Sequence, residues 1–273
     1  MDELDERLKQ AAQILYASKH NVVLTGAGIS VESGIPDFRS PGGLWERYDI
    51  MEYGTISAFR SDPEKVWKML SEMEDVVRKA RPNAAHKALA QLERWGVLDV
   101  VITQNIDGLH QDAGSGNVIE FHGNSKTLTC LWCHRRYGID EVGETCSPRC
   151  ECGRYLKPDV VLFGEAIPAD ALNRSFGAAS SCGALLVIGT SAQVAPASTI
   201  PVVAKRAGAV VIEINLAPSL LTSQTTDVFL QGRAASLVPA LVERVGEILG
   251  DQGRAVDGGK PAGANASCGP PDA

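Results

Sequence analysis

Val22-Val23-Leu24-Thr25-Gly26-Ala27-Gly28-Ile29-Ser30-Val31-Glu32-Ser33-Gly34-Ile35-Pro36-Asp37-Phe38-Arg39-Ser40 decides how this chain folds. A short β-branched and aliphatic run enters Gly-Ala-Gly, the pattern of a buried strand turning sharply into a helix start. Such a turn can cradle a pyrophosphate. Glycine lets the backbone approach phosphate oxygens, and the helix start offers free N–H groups and the positive end of its dipole. The spacing departs from the usual dinucleotide fingerprint, because Gly34 lies six residues past Gly28 where the fingerprint sets its last glycine three on. No strand ending in Asp or Glu follows about twenty residues later to hold a ribose hydroxyl. Instead Pro36-Asp37-Phe38-Arg39 puts a carboxylate, a ring and a guanidinium directly behind the glycines. Singly these suit a surface loop; together they read as a lid over a nucleotide.

The 273 residues suffice for one large domain and a smaller one, and 44% hydrophobic with 22% charged residues is ordinary for a globular enzyme. A net charge of −7 argues against nucleic acid as a principal ligand, although a local basic patch stays open. The opening Met1-Asp2-Glu3-Leu4-Asp5-Glu6-Arg7 has no apolar core and no window reaches the length of a membrane span, so a cytoplasmic protein with no membrane partner is expected.

Outward from the cradle the pattern alternates. Residues 3–18 have helical apolar spacing, and residues 21–25 form the first strand. Residues 42–81 interrupt the alternation with helical patterns, Pro63 near the first turn of one of them, and a further helix begins after Pro82-Asn83. Strand 99–103 ends in Gln104-Asn105-Ile106-Asp107, polar side chains where open α/β sheets keep their ligand chemistry, though Asn105 and Asp107 also suit Asx turns. Val118-Ile119-Glu120-Phe121-His122 repeats the design with an imidazole, a candidate general base because its ordinary pKa is near neutrality. The sheet is expected to resume with Asp159–Glu165, then Ala184–Ile188 running into Gly189-Thr190-Ser191, then Ala209–Asn215, with helices over 168–181, 198–207 and 234–249. From Gly250 the composition turns to Gly, Ala, Pro and Asp without period, so residues 250–273 read as a disordered tail.

Five of the seven cysteines crowd into residues 130–152, which in a reducing compartment points to metal rather than disulfides. Cys130-Leu131-Trp132-Cys133 and Cys150-Glu151-Cys152 read as two knuckles of one closed, structural thiolate zinc site. The gap of one residue between Cys150 and Cys152 is tight, so Cys146 remains an alternative ligand. A ribbon of about thirty residues has little core, and the metal would supply much of its folding free energy.

Together, Gly26–Ser30, Pro36–Arg39, Thr103–Asp107, His122-Gly123, the knuckles, Phe163-Gly164-Glu165, Gly189-Thr190-Ser191 and Ile214-Asn215-Leu216 resemble the sirtuins, NAD-dependent protein deacylases, in the family's order over residues 20 to about 240. The resemblance implies an α/β fold: a Rossmann-type parallel sheet with helices on both faces, from residues 1–41, 82–123 and 158–249, plus a small domain of helical insertion 42–81 and zinc ribbon 124–157. It implies NAD as co-substrate, held by Gly26, Ala27, Gly28, Ile29, Ser30, Asp37, Phe38, Arg39, Gln104, Asn105, Ile106, Asp107, Gly189, Thr190, Ser191, Asn215, Leu216 and Ala234. Acyl-lysine proteins or peptides would add a strand between Val160, Val161, Phe163, Gly164 and Glu165 on one side and Gly189 to Val194 on the other. His122 and Asn105 would carry the transfer of the acyl group to ADP-ribose. The desuccinylase-type members carry a Tyr and an Arg three apart where this chain has Leu70 and Met73, which implies preference for apolar acyl groups. ADP-ribosyl transfer to protein, a catalytically silent NAD- and zinc-binding protein and a hydride-transferring dehydrogenase remain the alternatives.

Overall fold

The computed structural model describes residues 3–37, 43–143 and 145–257. In chain order it runs α1 (Glu3–Ala17), β1 (Asn21–Thr25), α2 (Leu44–Arg47), α3 (Ile50–Tyr53), α4 (Ile56–Ser61), α5 (Pro63–Lys79) and α6 (Ala84–Arg94). Next come β2 (Val100–Thr103), α7 (Leu109–Asp112), β3 (Val118–Glu120), β4 (Gly123–Cys130), β5 (Arg136–Gly138) and β6 (Leu156–Val160). The chain closes with α8 (Ala169–Ser181), β7 (Ala184–Ile188), α9 (Ile200–Arg206), β8 (Val210–Asn215), β9 (Val228–Gln231) and α10 (Ala234–Asp257).

Six strands form one parallel sheet in the order β3-β2-β1-β7-β8-β9. The chain steps outward from β1 to β3, leaves, and returns on the other side of β1 as β7. The strand order therefore reverses between β1 and β7, and a crevice opens past their carboxyl ends, where such sheets bind dinucleotides. β1 and β7 are buried at every position, because helices cover both faces. On one face Val23, Val101, Leu186 and Ile212 meet α1, α6 and α10; on the other Val22, Leu24, Ile102, Leu185 and Val187 meet α8 and α9. A fully buried aliphatic side chain contributes about 1.5–3 kcal/mol, so Leu186→Ala, with its cavity, is expected to cost about 2–5 kcal/mol.

Strands β5, β4 and β6 form a separate antiparallel sheet. The ribbon was expected to lack a core of its own, and it shares one with the helical insertion: Ile56, Phe59, Val66, Trp67, Met69 and Leu70 pack on Leu128, Cys130, Cys150, Leu156 and Val160. The Trp67 indole N–H donates to the Leu156 carbonyl at 2.8 Å across that joint.

The structure corrects the sequence in two places. Asp159–Glu165 is no strand of the large sheet: Val160 pairs with Gly123 in the small one, and beyond it Glu165 N–H closes a turn onto Leu162 O at 3.0 Å, with Gly164 at φ +85°. An apolar run such as Val-Val-Leu-Phe fits either place. Helix α10 continues past Gly250 to Asp257, since once a helix is seated on the core each added residue gains a backbone bond whatever its polarity. Residues 258–273 of the expected tail lie outside the described residues. Among the described residues no helix is long and apolar enough to cross a membrane.

Candidate active site

The turn after β1 and the turn after β7 interlock through glycine. Gly28 N–H donates to Gly189 O at 2.9 Å, and a Cβ on Gly26 or Gly28 would come within 2.8 or 2.7 Å of the Gly189 and Thr190 region. Gly189 is itself at φ +61°, and a Cβ there would stand 2.5 Å from Ile29 N. These glycines are therefore required first by backbone meeting backbone, a different cause from the approach to phosphate expected from the sequence.

Three polar side chains are chained beneath this joint. The Asn105 amide donates from Nδ2 to Gly26 O at 3.2 Å and to Ser30 Oγ at 3.1 Å, and Ser30 Oγ donates to Asp107 Oδ2 at 2.7 Å. Both amide hydrogens of Asn105 are thereby committed, and its side-chain oxygen is what it has left to offer. Asp107 also serves as the Asx turn, its Oδ1 accepting Leu109 N–H at 3.0 Å. Asn105 and Asp107 are buried, at 9% and 7% exposure. Gln104 Nε2 donates to Thr190 Oγ1 at 3.1 Å, and Asn215 Nδ2 donates to Thr190 O at 2.8 Å, so the ends of β2, β7 and β8 are tied into one rim.

His122 sits just past β3, half-buried, with Nδ1 3.1 Å from Gln104 O. A carbonyl only accepts, so Nδ1 carries the proton and Nε2 keeps its lone pair. Burial lowers the imidazole pKa from its ordinary value, outweighing the hydrogen bond to Gln104 O, so that the neutral base is the form present at neutral pH.

The remaining predicted residues distribute around this rim. Ile29 is buried, Asp37 is partly buried, and Phe38 and Arg39 lie outside the described residues. Ala234 is buried at the start of α10, whose Ala235 N–H donates to Glu32 Oε2 at 2.9 Å, which brings that helix against the cradle. Leu216 is 60% exposed, and half-buried Val194 accepts Ser198 N–H at 2.9 Å. Phe163 has both backbone groups bonded to the helical insertion, N–H to Gly54 O and O to Ile56 N–H. Glu165 turns inward: its Oε2 accepts Leu162 N–H at 2.8 Å and pairs with Lys157 at 2.9 Å, so the side chain braces this segment. The sequence did not single out Lys157, and marked Pro82-Asn83 only as the start of a helix. Asn83 does form a capping box on α6 with His86, and its Nδ2 also donates to Ile29 O at 2.7 Å, a tie no periodicity reveals.

At the ribbon, Cys130, Cys133, Cys150 and Cys152 place four sulfurs within 4.8 Å of one another, and Cys146 is exposed outside the group. Sγ separations of 3.6 Å (Cys130 to Cys152) and 3.5 Å (Cys133 to Cys150) suit a tetrahedron with Zn–S near 2.3 Å, whose edges are about 3.8 Å. The backbone amide of Cys152 and the Tyr137 hydroxyl pull the Cys150 thiol down, while burial and the neighbouring sulfurs push the Cys152 thiol up. The set fits one zinc ion and leaves no fifth protein position, which makes it structural.

The parallel sheet with its reversal at β1 and β7, the polar rim and the four-sulfur ribbon together define a dinucleotide-binding α/β protein carrying a structural zinc module. Residues 26–196 match the Sir2 family model, and the chain belongs to that family. It is 50% identical over 235 residues to the NAD-dependent protein deacylase 2 of Pyrobaculum aerophilum, spanning 86% of this chain and 94% of that one. Among solved structures it resembles a Sir2 homologue in complex with NAD (TM-score 0.83, 42% identity, 88% of this chain and 94% of that one). It also resembles a Sir2 protein bound to a myristoylated histone peptide (TM-score 0.78, 40% identity, 90% and 99%).

Proposed function

We infer that this chain is an NAD-dependent protein lysine deacylase, transferring the acyl group of an acyl-lysine protein to ADP-ribose with release of nicotinamide. What supports this reading is a neutral histidine whose Nδ1 lies 3.1 Å from Gln104 O, keeping its Nε2 lone pair, next to an asparagine with only its oxygen to offer, on a sheet whose strand order reverses between β1 and β7. NAD supplies the ribose carbon that accepts the acyl oxygen. The backbone of Gly26–Ser30 and Gly189–Ser191 would hold its phosphates and ribose, with Asn215 and Leu216 toward the adenosine end. Asp107, kept in place by Ser30, would hold the nicotinamide amide together with Ile29 and Ile106. Asn105 accepts a hydrogen bond from a hydroxyl or water beside the reacting carbon, and His122 Nε2 takes the ribose hydroxyl proton. No hydride moves, which accounts for the missing acidic residue that a dehydrogenase would use on its ribose.

The acyl-lysine backbone is proposed to lie along Val160, Val161, Phe163, Gly164 and Glu165, with Gly189 to Val194 on its other side. Leu70 is buried and Met73 partly buried in the small-domain core, and Arg78, the cation within reach of that register, is exposed and pairs with Asp75 at 2.8 Å. Apolar acyl groups are therefore the expected substrates. Residues 42–81 and 124–157 are proposed as the small domain, and a reducing cytoplasm as the place where four cysteines stay free for zinc.

The test is nicotinamide release from NAD with acetyl-, propionyl-, myristoyl- and succinyl-lysine peptides, repeated with His122→Ala. Turnover on the apolar acyl peptides is expected to fall about 10²- to 10⁴-fold in the variant, the usual loss for a positioned base. Equal turnover in both proteins would remove His122 from this role, and label passing from NAD into protein instead of acyl-ADP-ribose would turn the assignment to ADP-ribosyl transfer.

A further inference from the structure

The loop after β1 is held at its two halves by different anchors. In the first half Gly26 N–H donates to Ile188 O at 3.0 Å and Gly28 N–H to Gly189 O at 2.9 Å, which pins the glycines to the end of β7. The second half runs through two single turns of 3-10 helix, Ala27–Ile29 and Val31–Ser33, whose backbone bonds are local. Ile29 is fully buried, and its carbonyl takes no backbone N–H among the described residues. Its donor comes from another element: Asn83 Nδ2, at the start of α6, bonds Ile29 O at 2.7 Å and Ser33 Oγ at 3.0 Å.

The Asn83 amide is thus divided between two tasks. Its oxygen accepts Ala85 N–H at 2.9 Å and caps α6, a task that Ser or Asp performs as well. Its nitrogen gives both hydrogens to the loop, and only an amide can do that while capping. The peptide group that Asn83 holds joins Ile29 to Ser30, and Ser30 Oγ donates to Asp107 Oδ2 at 2.7 Å. Without the Asn83 nitrogen the Ile29 carbonyl is a buried acceptor with no donor, which costs more than the bond itself.

We propose that Asn83 is a positioning residue for the nicotinamide end of NAD: its amide nitrogen fixes the Ile29–Ser30 peptide that sets Ser30 against Asp107. The inference rests on the deacylase assignment, which puts Ile29 and Asp107 about the nicotinamide amide. The glycine half of the loop keeps its own anchor on Gly189 and does not depend on Asn83. ADP-ribose, which has the phosphates and lacks the nicotinamide, is therefore held nearly as well when the nitrogen is removed, and NAD is not.

The experiment measures NAD and ADP-ribose binding by calorimetry, steady-state kinetics and thermal melts for the wild type, Asn83→Asp, Asn83→Ser and Asn83→Ala. The Asp and Ser replacements keep an oxygen for Ala85 N–H and lose the donor to Ile29 O. Both are expected to weaken NAD binding about ten-fold, the scale of a buried carbonyl left unanswered, with kcat/KM for NAD falling in step. ADP-ribose affinity and KM for peptide should stay within about two-fold, and Asn83→Ala alone should also lower the melting temperature through the lost cap. NAD affinity close to that of the wild type in both Asn83→Asp and Asn83→Ser would reduce Asn83 to a helix cap and overturn the proposal. Equal weakening of NAD and ADP-ribose would overturn it too, by showing no particular hold on the nicotinamide end. A wild type that binds NAD and releases no nicotinamide with any acyl-lysine peptide would instead overturn the deacylase assignment.

Discussion

Ser30 donates its hydroxyl to Oδ2 of Asp107 at 2.7 Å, a buried hydrogen bond that joins the Asn105 amide's bonds to Gly26 O and Ser30 Oγ in holding the turn after β1 against the turn after β2. The same oxygen of Ser30 receives the Asn105 amide, and removing it strands a donor and a charged acceptor together. Ser30→Ala is expected to lower kcat/KM for NAD by about 10- to 100-fold, the consequence of losing about 1.5–3 kcal/mol in a bond to a charged group. Steady-state kinetics with NAD varied at saturating peptide checks it, and a change below three-fold would show that Asp107 holds its position unaided.

Acid is expected to unfold the protein through two histidines. His86 and His110 are fully buried and meet edge to face at 4.9 Å between ring centroids. Thr25 gives its proton to Thr103, so it must accept from His110 Nε2, and His110 Nδ1 is left buried with no partner, as is His86 Nε2. Burial pushes His86 down to about 4, against the pull of Asp107, and His110 down to about 3, with His86 lowering it further. Both folded values lie below the unfolded value near 6.5. Their neutral forms are compatible with the fold above that pH, and as pH falls the unfolded state alone takes up the protons. At pH 5 the pair is expected to cost about 4 kcal/mol relative to pH 7.5. Urea unfolding at the two pH values measures it, and His110→Gln, which can still donate to Thr25, should roughly halve the difference.

Zinc removal is expected to separate the two halves of the molecule. Cys130 and Cys150 belong to the core shared by ribbon and helical insertion, whereas the large sheet has two cores of its own. A strong chelator, or Cys133→Ser, should abolish peptide turnover and lower the melting temperature of one transition while calorimetry still detects NAD binding. Loss of NAD binding in parallel with zinc would show that the large sheet depends on the ribbon.

How far the sequence led depended on what kind of cause each feature has. Strand β1 and the buried run Ala184–Ile188 were legible because a parallel strand covered on both faces must be aliphatic throughout. The thiolate metal site was legible because cysteines at knuckle spacing have few other uses, while the one-residue gap between Cys150 and Cys152 left Cys146 open as a ligand until the fold set it outside the group. Asp159–Glu165 misled because hydrophobicity reports burial and not the partner strand, which here is β4. Glu165 is legible as part of the segment read as substrate-facing, whereas the inward turn of its side chain onto Lys157 depends on a residue eight positions away that no periodicity connects. The glycines of the cradle were found for a reason that came second to their packing on Gly189.

That packing makes a sharp contrast between two Gly→Ala changes. At Gly28 a methyl would stand 2.7 Å from Gly189 Cα, backbone that cannot swing aside, and at Gly177, inside α8, it would meet nothing within 4 Å. Gly28→Ala is expected to destabilise by about 1–3 kcal/mol and to open the joint between the β1 and β7 turns, weakening NAD binding. Gly177→Ala should stabilise by about 0.5–1 kcal/mol through helix propensity and a less disordered unfolded chain. Thermal melts of the two variants, run together, check the sign of each.

Lys157 is the last residue whose removal has a defined consequence. Its side chain is 7% exposed and its ammonium is met by Glu165 Oε2 at 2.9 Å, Pro158 O at 3.0 Å and Val160 O at 2.7 Å, so all three donors are answered. Glu165 in turn holds Leu162 N–H, and the clamp fixes the end of β6 against the turn that presents Phe163 and Gly164. Breaking it from one side leaves a buried carboxylate without its partner, a change of about 3–5 kcal/mol for a fully buried pair and less here, where Glu165 keeps 21% exposure. Lys157→Met is expected to raise KM for peptide about ten-fold while KM for NAD stays within two-fold, because the NAD rim is tied through Gln104, Asn105 and Thr190 and not through β6. Lys157→Arg, which keeps the charge and the donors, should recover most of the loss. Equal increases in both KM values would mean that the clamp supports the whole molecule and has no particular hold on the substrate strand.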